Sequence, residues 1–162
     1  MALVLGIDPG TATTGYGLVR DRENGSLEAV EYGTIQTPAN TPAHKRLSTL
    51  YHGISDILFL HRPDYCAVEK LFFQRNISTA IAVGQARGVL LLAISEAGLN
   101  MKEFTPNQVK QAVAGYGSAG KKQVQEMVRV LLALKEIPKP DDAADALAVA
   151  ITALNTQTYG EA

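Results

Sequence analysis

Met1-Ala2-Leu3-Val4-Leu5-Gly6-Ile7-Asp8 is an almost unbroken apolar run that stops at a carboxylate, and Asp8-Pro9-Gly10 ends it. Such a run suits a central strand covered on both faces, because a strand with one wet face alternates polar and apolar residues. Beyond it, Thr14-Gly15-Tyr16-Gly17-Leu18-Val19-Arg20 resumes an extended pattern, and Asn24-Gly25 separates that segment from Leu27 to Gln36. Asn-Gly favours a tight hairpin turn, so the first three strands are predicted to form an antiparallel meander. The rest of the chain alternates helix and strand. Leu47, Leu50, Ile54, Ile57 and Leu58 give a helical stripe over about 43–60 that ends before Arg62-Pro63. Tyr65 to Val68 reads as a short buried strand with Glu69 at its end, 78–97 as a helix, and Met101 to Phe104 as the last strand. Thr105-Pro106 opens a short helix as cap and first-turn residue. Gly115 to Gly120 leads into a helix from Lys121 to about Leu134, and Pro138 and Pro140 break the chain before the final helix. The expected fold is therefore α/β, a mixed five-stranded sheet with helices on both faces.

Within the 78–97 helix, Gly88-Val89-Leu90-Leu91-Leu92-Ala93-Ile94 is apolar nearly all round, which points to burial on more than one side, against the sheet and against a second subunit. Gly84-Gln85-Ala86-Arg87-Gly88 reads as close helix packing over small residues. The 162 residues fit one domain, assigned to 1–155, with a C-terminal tail at 156–162. Hydrophobic content of 46% and charged content of 19% are ordinary for a soluble globular protein. No tract reads as a membrane-spanning helix, and Met1 to Leu5 lacks the basic region of a signal peptide, so a cytoplasmic location and no membrane partner are expected. The net charge of −1 means that any binding of nucleic acid must come from local basic clusters. Cys66, the single cysteine, reads as a small core residue, and His44, His52 and His61 as structural residues of a surface helix.

Pro140-Asp141-Asp142-Ala143-Ala144-Asp145-Ala146-Leu147-Ala148 starts the last helix. Proline fits a first turn and an aspartate caps it, but one acid is enough for capping. Asp142 and Asp145, three apart, project from one face, where like charges repel unless something positive lies between them. The helix N-terminus supplies part of that potential and a divalent cation would supply the rest. Asp8 and Glu69 end strands, and functional groups in such sheets gather where strands end and helices begin. Carboxylates in apolar surroundings need pairing or a metal. Oxygen-only donors favour Mg²⁺, or Mn²⁺ in its place, over zinc. Carboxylate-held metal pairs carry out in-line phosphoryl displacement, which implies a phosphodiester substrate.

Six blocks in order, Leu5-Gly6-Ile7-Asp8-Pro9-Gly10-Thr11, Val68-Glu69 with Phe72, Gly84 to Gly88, Gln108-Val109-Lys110-Gln111, Gly117-Ser118-Ala119-Gly120-Lys121 and Asp142 to Ala148, together resemble the RuvC family of bacterial Holliday junction endonucleases, from Met1 to about Thr152. The resemblance implies an RNase H-like three-layer fold, a two-fold symmetric homodimer and Mg²⁺-dependent nicking of two like-polarity strands of four-way junction DNA, beside a branch-migration motor complex. It carries the catalytic and metal-binding acids onto Asp8, Glu69, Asp142 and Asp145, with two ions per site. Asp141 remains an alternative to Asp142, because residues four apart also share a face. Lys110 and Lys121 match the family lysines beside the scissile phosphate. Lys122, Arg75 and Lys70 extend a basic rim, and Phe72, with Phe73 next to it, is the stacking aromatic that the family pattern implies. Exposed lysine is ordinarily a solvated residue, and either ring can instead fold into the core.

Sugar kinases, Hsp70 and actin share Gly-Ile-Asp-x-Gly-Thr, but those ATPases need two such domains. A YqgF-type RNase H-like nuclease shares only the first motif, and a non-catalytic junction-binding module would be expected to have lost one of the four acids.

Overall fold

The structure, a computed structural model, describes residues 1–10, 12–70 and 76–160. Its elements are β1 (Leu3–Asp8), β2 (Thr13–Asp21), β3 (Leu27–Gln36), α1 (Ala43–His61), β4 (Tyr65–Glu69), α2 (Ile77–Glu96), β5 (Asn100–Phe104), α3 (Pro106–Ala114), α4 (Lys121–Leu131) and α5 (Asp141–Gly160). The five strands form one mixed sheet in the order β3-β2-β1-β4-β5, with β1 in the middle as its apolar run predicts. β1 is antiparallel to β2 and parallel to β4, and β5 is parallel to β4. The meander and the alternating half are both present.

Period-2 alternation divides the core into two layers. Leu3, Leu5 and Ile7 of β1, with Cys66 and Val68 of β4, pack against α1 and α2. Val4, with Tyr65 and Ala67, faces the opposite layer, built from α3, α4 and α5. Cys66 is fully buried, and burial pushes its thiol up to about 12. The capping box of α3 forms as its sequence suggests, with Thr105 accepting from Gln108 N–H and the Gln108 side chain accepting from Thr105 N–H.

Glycines let α5 lie on the sheet at a distance that side chains would forbid. A Cβ on Gly15 would sit 1.9 Å from the Asp142 carbonyl oxygen, and one on Gly6 would sit 2.1 Å from that of Ala146. A Cβ on Gly17 would meet the Leu147 side chain at 2.7 Å. Contact this close explains why α5 is buried from Ala143 to Leu154, save the half-buried Asp145.

In keeping with the expected second surface, α2 is covered on one side among the described residues: Ala86, Leu90, Ala93 and Ile94 are buried, whereas Ile77, Ile81 and Leu92 are 76%, 57% and 52% exposed. Among the described residues nothing lies within 4 Å of the positions of the missing Cβ atoms of Gly84 and Gly88. α2 is also long and apolar enough to cross a membrane by length and composition, with a mean hydropathy of 1.7, contrary to the sequence reading. Its four buried residues pack into the layer shared with α1 and the sheet. α4 stops at Leu131 rather than Leu134, because Ala133 turns into the left-handed region at φ 53°. α5 continues to Gly160.

Candidate metal and nucleic-acid site

Asp8 and Glu69 end neighbouring parallel strands whose register pairs Ile7 with Val68. By alternation both follow the residues that face the α5 layer, Asp8 after Val4 and Gly6, Glu69 after Tyr65 and Ala67. The two acids share a hydrogen bond. Gly15, opposite Asp8 on β2, lets the first turn of α5 close over them. As a result Asp8, Asp142 and Asp145 each present an oxygen within 4.8 Å of the others. Acids more than a hundred positions apart in the chain meet because one sheet end and one helix start coincide.

The electrostatics match that crowding. Asp8 is pushed up to about 9, first by burial and then by its hydrogen bond to Glu69 and the charges of Glu69, Asp145 and Asp142. Asp145 rises to about 6, again chiefly by burial, although Lys121 pulls it down. Carboxylates held this close keep a proton among themselves until a cation replaces it. All the donors are hard oxygens on a partly buried floor, a set that suits a divalent ion of the Mg²⁺ or Mn²⁺ type.

Asp141 takes a different path from Asp142. It is exposed and accepts from Lys121 Nζ at 3.1 Å and Gln125 Nε2 at 3.1 Å. The Lys121 hydrogen bond, followed by that of Gln125, holds its carboxyl below the usual range. Asp142, not Asp141, therefore stands in the acid cluster. Lys121 in turn is raised, first by Asp141 and further by the charges of Asp145 and Asp142.

Lys110 and Lys121 line one cleft of about 330 Å³ together with Glu69 and Asp145. Lys122 points elsewhere, into a neighbouring hollow with Tyr116 and Met127. Lys70 is exposed, and its backbone N–H donates to the Phe104 carbonyl at 2.7 Å. Phe72, Phe73 and Arg75 lie outside the described residues. His44 and His52 are exposed and His61 pairs with Glu31.

Two contributors escape a sequence reading. One is the glycine track under α5; the spacing of Gly15 and Gly17 on one strand face was its available signal. The other is Arg87 of α2, whose Nη1 donates to the Glu69 carbonyl at 3.1 Å while Nη2 pairs with Glu103 at 2.7 Å. Its setting between two glycines made it look like part of a packing motif.

Residues 4–153 match the family described as "Crossover junction endodeoxyribonuclease RuvC". The chain is 58% identical to the protein of that name from Heliobacterium modesticaldum over 99% of this chain and 98% of the relative. Its counterpart from Desulfitobacterium hafniense is 60% identical over 92% and 90%. Among solved structures, Thermus thermophilus RuvC superposes with a TM-score of 0.91 at 39% identity, covering 98% of this chain and 96% of that one. The T. thermophilus RuvC in complex with Holliday junction substrate gives 0.90 at 36%, with the same coverage. Both the architecture and the sequence therefore place the molecule: the chain belongs to the RuvC family of crossover junction endodeoxyribonucleases.

Proposed function

We propose that this chain is a divalent-metal-dependent endodeoxyribonuclease that resolves Holliday junctions by symmetric nicking of two like-polarity strands during recombination and repair. The observation that carries the reading is the approach of Asp8, Asp142 and Asp145 to within 4.8 Å of one another, with Glu69 hydrogen-bonded to Asp8 at the end of the adjacent strand. Asp8, Glu69, Asp142 and Asp145 are the proposed ligands of two Mg²⁺ ions, which Mn²⁺ can replace. Such ions, when bound, activate water and stabilise the leaving oxygen of a phosphodiester. Lys110 and Lys121, on the wall of the same cleft, would neutralise charge on the phosphate. Phe72 would stack on an unpaired base, with Phe73, Arg75 and Lys122 completing the DNA contacts.

Symmetric cleavage needs two such clefts, and the bare side of α2 supports a homodimer. Ile77, Ile81, Gly84, Gly88 and Leu92 recur every three or four residues, so they form one exposed stripe of apolar side chains over glycine. A branch-migration motor partner, a cytoplasmic location and a single nuclease domain over 1–155 belong to the same proposal. The test is incubation with a mobile four-way junction and a matched linear duplex, each with Mg²⁺ and with chelator. Paired nicks in the junction alone, and only with metal, are expected; equal cutting of the duplex would overturn the assignment.

A further inference from the structure

Glu69 ends β4, where the backbone is held from two sides. The Lys70 N–H reaches the Phe104 carbonyl of β5, which fixes one side of the strand end. The Glu69 carbonyl is taken by Arg87, reaching across from α2, eighteen positions along the chain. We infer that Arg87 is a positioning residue for the acid cluster: it holds the Glu69 backbone so that the Glu69 carboxylate stays turned to Asp8.

Three features of the contact support that role. Arg87 donates to the carbonyl of Glu69, which leaves the carboxylate for Asp8 and for a cation. Its charge is matched by Glu103 of β5 at 2.7 Å, so the guanidinium brings no net positive charge to compete with a divalent ion. The pair is also sheltered, with 19% of the Arg87 side chain and 34% of that of Glu103 exposed, which holds the planar fork in one geometry. Lysine has donors enough but lacks the rigid planar fork that fixes the direction of both bonds. α2, β4 and β5 thus meet at one guanidinium.

This inference rests on the metal-nuclease reading of the cluster, and the experiment separates the two. Arg87→Gln, Arg87→Lys and Glu103→Gln are compared with the unaltered protein well below their melting temperatures. Three quantities are read: the Mg²⁺ dependence of single-turnover junction cleavage, junction affinity in chelator, and the rise in Tm that Mg²⁺ produces. For Arg87→Gln the half-saturating Mg²⁺ concentration or the saturated rate should worsen about tenfold, the scale on which residues supporting metal ligands act. Its Mg²⁺-induced rise in Tm should shrink, and its junction affinity in chelator should stay within about twofold. Arg87→Lys and Glu103→Gln should show smaller effects of the same sign, which keeps the test open if Arg87→Gln folds poorly. Unchanged metal dependence and rate in all three variants would overturn the inference, as would loss of junction affinity in step with rate. Failure of the unaltered protein to cleave with Mg²⁺ would instead overturn the reading of the site.

Discussion

Replacing Asp8 with Asn should make the metal-free protein more stable, and the gain should grow with pH. In the fold Asp8 is raised from 3.8 to about 9 by burial and by the acids around it. A carboxyl raised on folding contributes its stability in full below 3.8, and that contribution is lost as pH rises through the folded value of about 9. At pH 7 the folded protein keeps a proton that the unfolded chain has released. Holding it a little over three pH units above the unfolded value costs about 4 kcal/mol, at about 1.4 kcal/mol per unit. That is a ceiling, because water entering the cleft and small shifts of the acids relieve part of it. A net gain of about 2 kcal/mol for Asp8→Asn corresponds to about 4–8 °C in Tm for a domain of this size. The assay is urea and thermal unfolding in chelator at pH 5, 6, 7 and 8, repeated with Mg²⁺. The unaltered protein should lose stability as pH rises and recover it with Mg²⁺, through preferential binding to the folded state. Asp8→Asn should show a flatter pH profile and little response to the ion. An Asn variant less stable than the parent in chelator, or a gap independent of pH, would refute the electrostatic account of the site.

Proton and cation compete for the same oxygens, so the Mg²⁺ concentration for half-maximal cleavage should fall as pH rises from 6 to 9, by up to about tenfold per unit for each proton displaced; a requirement that rises with pH would contradict the raised positions of Asp8 and Asp145. Gly15→Ala should destabilise the fold by about 2–3 kcal/mol, the scale of forced overpacking, because its Cβ would strike the backbone of Asp142. Cleavage should fall further than the loss of folded protein explains, and equal losses in urea unfolding and single-turnover assays would show that Asp142 is not displaced. Ile81→Glu, which puts a charge in the middle of the bare stripe on α2, should weaken self-association on the order of 100-fold in sedimentation velocity. It should also turn paired nicks into single ones, and an unaltered sedimentation profile would move the dimer interface elsewhere.

Local patterns made the sheet readable. The apolar run to Asp8, the Asn24-Gly25 turn and the helical stripe from Leu47 to Leu58 each encode their element over a few residues, and β1, the β2–β3 hairpin and α1 appear where those signals put them. The acids were readable as chemistry because each stands at the end of an element. Their choice was less so: residues three and four apart share a helix face alike, and only Lys121 and Gln125, brought in by α4, show that Asp141 is drawn outward. Gly84 and Gly88 are ambiguous for a related reason. A glycine in a helix signals close approach, but the sequence does not say whether the neighbour belongs to the same chain, and among the described residues the space beside them is open. Arg87 was hidden because its partners, a backbone carbonyl and Glu103, lie on two other elements.

A cluster of acids works against its own assembly, and that dictates how it must be held. If each carboxylate were fixed by an ion pair, its oxygens would be spent and the proposed cations would find no open ligands. The chain instead fixes the backbones. Asp8 is set by β1, the middle strand, bonded on both sides. Asp142 and Asp145 are set by α5, whose carbonyls press onto the glycine positions of β1 and β2. Glu69 is set through its carbonyl by Arg87. Asp141, which does pair with a lysine, stands outside the group formed by Asp8, Asp142 and Asp145. Rigid backbone placement with free carboxylate oxygens is the arrangement that tolerates repulsion in the empty site and gains most when cations enter, because the stored repulsion is released on binding rather than lost to rearrangement.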